Sequence, residues 1–223
     1  MSDFWPEIAP ARRSAMALLI IDMQIDFCAP GGWVDQLGED VSNTRAMIAP
    51  IQRVLAAARA AGITVIHTRE GHKPDLSDLP ANKQWRTRVH GLGIGDMGAT
   101  GRILVRGEPG WQIVPELAPI AGELVIDKPG KSSFYATDLL EQLQERGIDR
   151  LVIVGVTSDC CVQSTFRDGF ERGLECVVLE DCTAAVETAN HAAAMDILKA
   201  YGGRWGGVSN TAGFTAMLEH ADA

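Results

Sequence analysis

Apolar runs of strand length recur along the chain at ALLII (17–21), ITVIH (63–67), ELVID (123–127), LVIVGV (151–156) and ECVVLE (175–180). Each is rich in Leu, Ile and Val and apolar on both faces, the pattern of strands buried in a parallel sheet. Between them, apolar positions recur with helical spacing over 43–62, 137–147, 162–173 and 187–203. Strand followed by helix, repeated, predicts a doubly wound α/β sheet. Pro50 interrupts the first helical pattern, so that helix is expected to kink or begin late. Residues 71–120 break the rhythm with much Gly and Pro, and their aromatic and charged content predicts a structured lid or pocket wall.

A chain of 223 residues can bury one substantial core, and we read residues 1–15 as an N-terminal extension and 16–223 as a single domain. Twenty basic against 29 acidic side chains leave a formal charge of -9, and the longest basic cluster is Arg12-Arg13. That balance argues against nucleic acid or an anionic membrane surface as a partner. No apolar run approaches the roughly 20 residues of a bilayer span, and the first 15 residues lack the pattern of a signal peptide, so a cytoplasmic location is expected. Five cysteines without C-x-x-C spacing read as free thiols.

In open parallel sheets, ligands bind beyond the carboxyl ends of the strands. Three polar residues stand there: Asp22 after ALLII, Lys128 after ELVID, and Cys161 shortly after LVIVGV. A carboxylate to take the thiol proton, an ammonium to favour the thiolate and a sulfur nucleophile form a hydrolase constellation. Taken singly, each has a plainer reading: a packed cysteine, a helix cap, a solvated strand end. Their coincidence at one sheet edge is what points to chemistry. The helix expected to be capped by Ser158 or Asp159 carries both Cys160 and Cys161 in its first turn, where the dipole lowers a thiol pKa. Cys160 shares a polar stripe with Ser164, Arg167 and Glu171, whereas Cys161 borders Val162, Phe166 and Gly169 and turns inward. Cys161 is therefore the expected nucleophile, and its N–H with that of Thr157 the expected oxyanion donors.

Other signals read as structure. Gly93 to Gly98 satisfies G-x-G-x-x-G but neither follows a strand nor opens a helix. His67 and His72, near Asp75 and Asp78, read as a buried strand end and solvated carboxylates, so no metal is expected. Trp85 and Trp111 suit a pocket wall or an interface, and no serine has a nucleophile-elbow context. A redox-sensing module is the rival outside enzymology, because adjacent thiols can form sulfenic acid.

With LLIIDMQIDF, VIDKPGKSSF and VGVTSDCCVQST in order, the sequence resembles the isochorismatase-like cysteine hydrolases from about residue 16 to 214. The stretches HTREGHKPDLSDLPANKQWR, GRILVRGEPGW and DKPGKSSFYATDL are similar to the branch acting on biuret and triuret. The resemblance implies a six-stranded parallel sheet with helices on both faces, usually a homotetramer, and a triad of Asp22, Lys128 and Cys161. It also implies a cis peptide between Val156 and Thr157, no cofactor, and a substrate pocket that includes Phe27, Lys83 and the region of Tyr201. HTREGH lacks the Asp-x-His of the metal-binding nicotinamidases. Where this chain has Tyr201, biuret hydrolase has glutamine, a departure that favours a longer or different ureide. The implied reaction is hydrolysis of a terminal carbamoyl C–N bond of a small neutral ureide, triuret or biuret, with loss of ammonia. Ureidoacrylate or an N-carbamoyl amide is the alternative within the same chemistry.

Overall fold

The computed structural model describes residues 12–89 and 91–221, so residues 1–11 of the expected N-terminal extension lie outside the described residues. A 3-10 turn at Arg13–Ala15 leads into the first strand, and Arg13 Nη2 donates to the Leu218 carbonyl at 2.7 Å. Six strands make one sheet: β1 (Met16–Ile21), β2 (Thr64–Glu70), β3 (Leu124–Lys128), β4 (Arg150–Val156), β5 (Glu175–Ala184) and β6 (Gly207–Ser209). All neighbouring pairs run parallel, in the order β3-β2-β1-β4-β5-β6. The order reverses between β1 and β4, which puts the switch point where Asp22 and the residues after Val156 emerge.

The central strand shows why the sheet is buried on both faces. Along β1, Met16, Leu18 and Ile20 enter one core, while Ala17, Leu19 and Ile21 enter the other. Side chains alternate across a strand, so one apolar run feeds two layers. All six residues are at most 1% exposed, and each large side chain so buried contributes roughly 1.5–3 kcal/mol. Helices α1 (Ile48–Ala60) and α6 (Thr211–His220) cover the first face. Helices α3 (Leu139–Glu145), α4 (Gln163–Glu171) and α5 (Thr188–Gly203) cover the second, while α2 (Ala81–Arg88) belongs to the long connection after β2.

The structure differs from the sequence reading in several places. The 43–62 pattern divides into Ser42–Ala46 and α1, and Pro50 sits in the first turn of α1, where its missing N–H has no intrahelical partner to lose. The 187–203 pattern is broken at Ala200, Tyr201 and Gly202, the last two with positive φ. Strand β6 is three residues from a glycine-rich stretch, too short to register as an apolar run. Residues 71–120 are ordered by α2, a two-residue hairpin pairing Met97–Gly98 with Gly101–Arg102, and a bridge from Gln24 to Ile113. Asp26 fastens this segment: its carboxylate accepts from Thr100 Oγ1 at 3.1 Å and Leu104 N–H at 3.1 Å. Gly110 lies so close to that carboxylate that a Cβ would stand 2.2 Å from Oδ1. Among the described residues, no helix is long and apolar enough to cross a membrane.

Candidate active site

Three strands deliver the expected groups to one place. Asp22 follows β1 with φ of 50°, a left-handed conformation that Asp tolerates better than most side chains. Thr68 of β2 locks it there: Thr68 Oγ1 donates to Asp22 Oδ1 at 2.7 Å and accepts from Asp22 N–H at 3.2 Å. Lys128, the last residue of β3, places Nζ 2.7 Å from Asp22 Oδ2. The same ammonium donates to the carbonyls of Gly130 at 2.9 Å and Lys131 at 3.0 Å. Both side chains are at most 1% exposed. Burial alone would lower the Lys128 pKa, but Asp22, the Cys161 thiol and Glu70 outweigh it and hold Lys128 above its ordinary value.

The thiols come from the β4 exit. Gly155, at φ of 108°, lets β4 press against β1; a Cβ there would lie 2.1 Å from the Ile21 carbonyl oxygen. The Val156–Thr157 peptide is cis. A wide turn of π type over Ser158–Val162 then precedes α4, and its N-cap is Thr157, without a side-chain capping bond. The expected cap by Ser158 or Asp159 is thus corrected: the wide turn starts one residue earlier, and Ser158 Oγ instead meets His191 Nδ1 at 3.2 Å. The Thr157 carbonyl accepts from the N–H groups of Cys160 and Val162, each at 3.1 Å. Cys161 is buried and Cys160 partly exposed, as the helical stripes predict. The adjacent thiols shift each other: the Cys161 thiol, with help from Lys131, brings Cys160 down to about 7, while Cys161 is pushed up by Cys160 and by burial. One anion shared by the pair describes this coupling better than a charge fixed on either sulfur.

A second carboxylate stands at the centre of the cluster. Glu70, the last residue of β2, is fully buried, and the Cys161 thiol donates to its Oε2 at 3.5 Å. Lys83 of α2 donates to Glu70 Oε1 at 2.6 Å and to the Pro129 carbonyl at 2.6 Å. Lys131 donates to both Glu70 oxygens, at 3.0 and 3.1 Å, and Lys128 is 4.0 Å away. Burial would raise the Glu70 pKa, yet these three ammonium groups hold it well below the carboxylate range. Gln24 ties down the backbone, accepting from Glu70 N–H at 2.7 Å and donating to its carbonyl at 3.0 Å. The apolar run that predicts β2 stops at His67, three residues short of Glu70; with the strand extended to its true end, the same strand-end rule finds it.

Asp22, Glu70 and Cys161 each offer an atom within 4.8 Å of the others, the outline of a three-ligand metal site. The Lys128 ammonium already stands among them, and Lys131 and Lys83 also neutralise Glu70, so this donor set is supplied with cations from the chain itself. His67 and His72 are buried elsewhere, on Glu123 at 3.1 Å and Asp78 at 3.2 Å respectively, each held below the usual imidazole pKa chiefly by burial.

Of the pocket residues implied by the resemblance, Lys83 reaches the cluster through Glu70. Phe27 packs against Trp33 at a centroid distance of 6.2 Å within the first core. Tyr201 sits at the break in α5, 74% exposed and edge-on to Trp205 at 5.3 Å. Trp111 is buried beneath the Arg69 guanidinium at 3.6 Å, whereas Trp85 is 63% exposed.

The family model described as the isochorismatase domain matches residues 16–208. The chain belongs to the isochorismatase family. Within that family of cysteine hydrolases, it is 35% identical to the ureidoacrylate amidohydrolase RutB of Methylobacterium radiotolerans over 95% of this chain and 85% of that one. A cysteine hydrolase from Pseudomonas syringae pv. phaseolicola superposes with a TM-score of 0.80 at 29% identity, covering 95% of each chain. An N-carbamoylsarcosine amidase from Thermoplasma acidophilum gives 0.66 at 25% identity, covering 88% of this chain and 96% of that one. Family membership makes this chain an isochorismatase-like hydrolase.

Proposed function

We propose that this protein hydrolyses a terminal carbamoyl C–N bond of a small neutral linear ureide, triuret or biuret, through a thioester on Cys161. The observation that carries the reading is the charge inventory around the sulfur. Lys128, Lys83 and Lys131 supply three positive charges and Asp22 and Glu70 two negative ones, so passing the Cys161 proton to Asp22 moves a negative charge onto the sulfur among three ammonium groups. The lysines offset the charge of the thiolate, and each is already paired with a carboxylate of the chain, which leaves none committed to an anionic substrate.

In this mechanism the Cys161 proton passes to Asp22, and the sulfur bonds to the terminal carbonyl carbon. The N–H groups of Thr157 and Cys161 hold the resulting oxyanion. As the C–N bond breaks, Asp22 returns the proton to the leaving nitrogen and ammonia departs. Water then gives Asp22 a proton as its oxygen attacks the thioester; the C–S bond breaks, the thiol is restored and the substrate remainder leaves as a carbamic acid. One carboxylate acts as base, acid and base again, while Lys128 keeps it positioned.

The relative named for ureidoacrylate supports a second reading, the same carbamoyl cleavage on a substrate bearing a carboxylate. Against it stands the pairing of both Lys83 and Lys131 with Glu70. Ammonia release from triuret, biuret, ureidoacrylate and an N-carbamoyl amino acid, assayed side by side, decides between them. Turnover of the neutral ureides at ten times the kcat/KM of the anionic compounds is expected; preference for ureidoacrylate, or silence on all four, ends the proposal.

A further inference from the structure

We propose that Glu70 is a specificity-determining residue, which occupies Lys83 and Lys131 and thereby restricts Cys161 to uncharged carbamoyl groups. The inference rests on the reading of Cys161 as nucleophile and deepens it by naming what excludes anionic substrates.

Glu70 has its carboxylate available for this task because that group does not hold its own strand. Its backbone is held by Gln24 through both N–H and carbonyl, so the end of β2 is fixed without the Glu70 carboxylate. The carboxylate itself is 0% exposed, and burying one is unfavourable unless cations compensate. Here two lysines from separate segments, Lys83 on α2 and Lys131 in the turn after β3, converge on it. Both of its oxygens are engaged by ammonium groups, and Oε2 also faces the Cys161 sulfur at 3.5 Å.

A substrate carboxylate entering this space would meet Glu70 and Asp22 with their lysines already committed. An uncharged ureide meets no such repulsion, and its N–H groups find a carboxylate acceptor. Exclusion by a like charge is a common route to discrimination between substrates of similar shape. Remove the Glu70 charge, and Lys83 and Lys131 become free to receive an anion beside the same sulfur.

Two alkylating agents that differ in charge test this without any ureide. Iodoacetamide and iodoacetate each form a bond from the Cys161 sulfur to a CH2 carbon as iodide leaves, and the ratio of their rates at one pH cancels the thiolate fraction. In the Cys160→Ser background, with alkylation read at Cys161 by peptide mass, the starting protein should favour iodoacetamide beyond the preference of free cysteine. Glu70→Gln should raise the iodoacetate-to-iodoacetamide ratio at least tenfold. Lys131→Gln, at a side chain 43% exposed and so safer for folding, should lower it about threefold or more. Should Glu70→Gln fail to fold, Lys131→Gln decides alone; a ratio within twofold of the starting protein in either folded variant overturns the assignment. If the ratio moves while no ureide yields ammonia, the role of Glu70 stands and the substrate reading falls. If ureides are turned over but the ratio is unmoved, Glu70 alone loses its role.

Discussion

Lys128 Nζ lies 2.7 Å from the Asp22 carboxylate, and neither side chain is more than 1% exposed. A buried pair of this kind is weakly stabilising as a pair but costly to halve, because the survivor is an uncompensated charge in a dry place. Lys128→Met should therefore destabilise the protein by about 3–5 kcal/mol in urea unfolding, with loss of turnover. The double variant Asp22→Asn/Lys128→Met should recover most of that stability and none of the activity. Additive destabilisation in the double variant would show that the two groups do not act as a pair.

Cys161 and Cys160 are adjacent in sequence but differ in setting: Cys161 bonds to Glu70 and is buried, whereas Cys160 is partly exposed. Cys161→Ser should lower kcat by more than about a thousandfold while leaving the circular dichroism spectrum and unfolding midpoint nearly unchanged. Cys160→Ser keeps a hydroxyl beside Cys161 and should retain activity within about tenfold, the scale of one altered hydrogen bond. Equal losses in the two variants would mean that the nucleophile was assigned to the wrong sulfur.

The same pair gives a pH signature. The neighbouring Cys161 thiol and Lys131 bring Cys160 down to about 7, so the first anion of the pair forms as pH rises through that value. Iodoacetamide labelling of the pair should accelerate with a midpoint about there and level off above it. Lys131→Gln removes a cation and should move the midpoint upward; a midpoint that stays put would separate Lys131 from the thiols.

Gly155 marks a place where backbone meets backbone. A Cβ would come within 2.1 Å of the Ile21 carbonyl oxygen and 2.6 Å of its nitrogen, and φ is 108°. Neither neighbour can yield, because both belong to the β1–β4 pairing that sets Asp22 beside the thiol turn. Gly155→Ala should cost about 3 kcal/mol or more and reduce turnover in whatever fraction folds. A fully active, fully stable alanine variant would show that the strands can part.

The sheet was legible because its strands are apolar on both faces; β1, feeding two cores from one run, carries the clearest signal. Asp22, Lys128 and Cys161 were legible because strand ends are where such sheets place polar groups. Glu70 was not, since Thr68, Arg69 and Glu70 continue β2 in polar residues that periodicity cannot distinguish from a loop. Lys131 was hidden for another reason: it sits in a turn, and only the three-dimensional path after β3 brings its ammonium back to Glu70. Tyr201 shows the reverse case, a residue whose helical pattern continues in sequence while its backbone turns left-handed.

Far from the thiols, Glu123 joins β3 to its neighbours. Its carboxylate accepts from Arg59 Nε at 2.7 Å and Nη2 at 2.9 Å, from the Ile120 N–H at 2.9 Å, and meets His67 Nε2 at 3.1 Å. Burial would raise its pKa, but these donors outweigh it and hold the group at about 2, below its ordinary 4.5. A depressed carboxyl pKa means that the folded state binds fewer protons than the unfolded one between those values. The contribution is thus complete above about pH 5 and is lost as pH falls from 4.5 toward 2, at a slope of at most about 1.4 kcal/mol per pH unit. His67, held low by burial, works in the same direction, since protonating it is easier once the chain unfolds. Glu123→Gln should lower stability at pH 7 and flatten the acid limb of a stability–pH curve between pH 5 and 2. An acid limb of unchanged steepness would mean that Glu123 titrates alike in folded and unfolded chains, and that the Arg59 bonds carry no linkage.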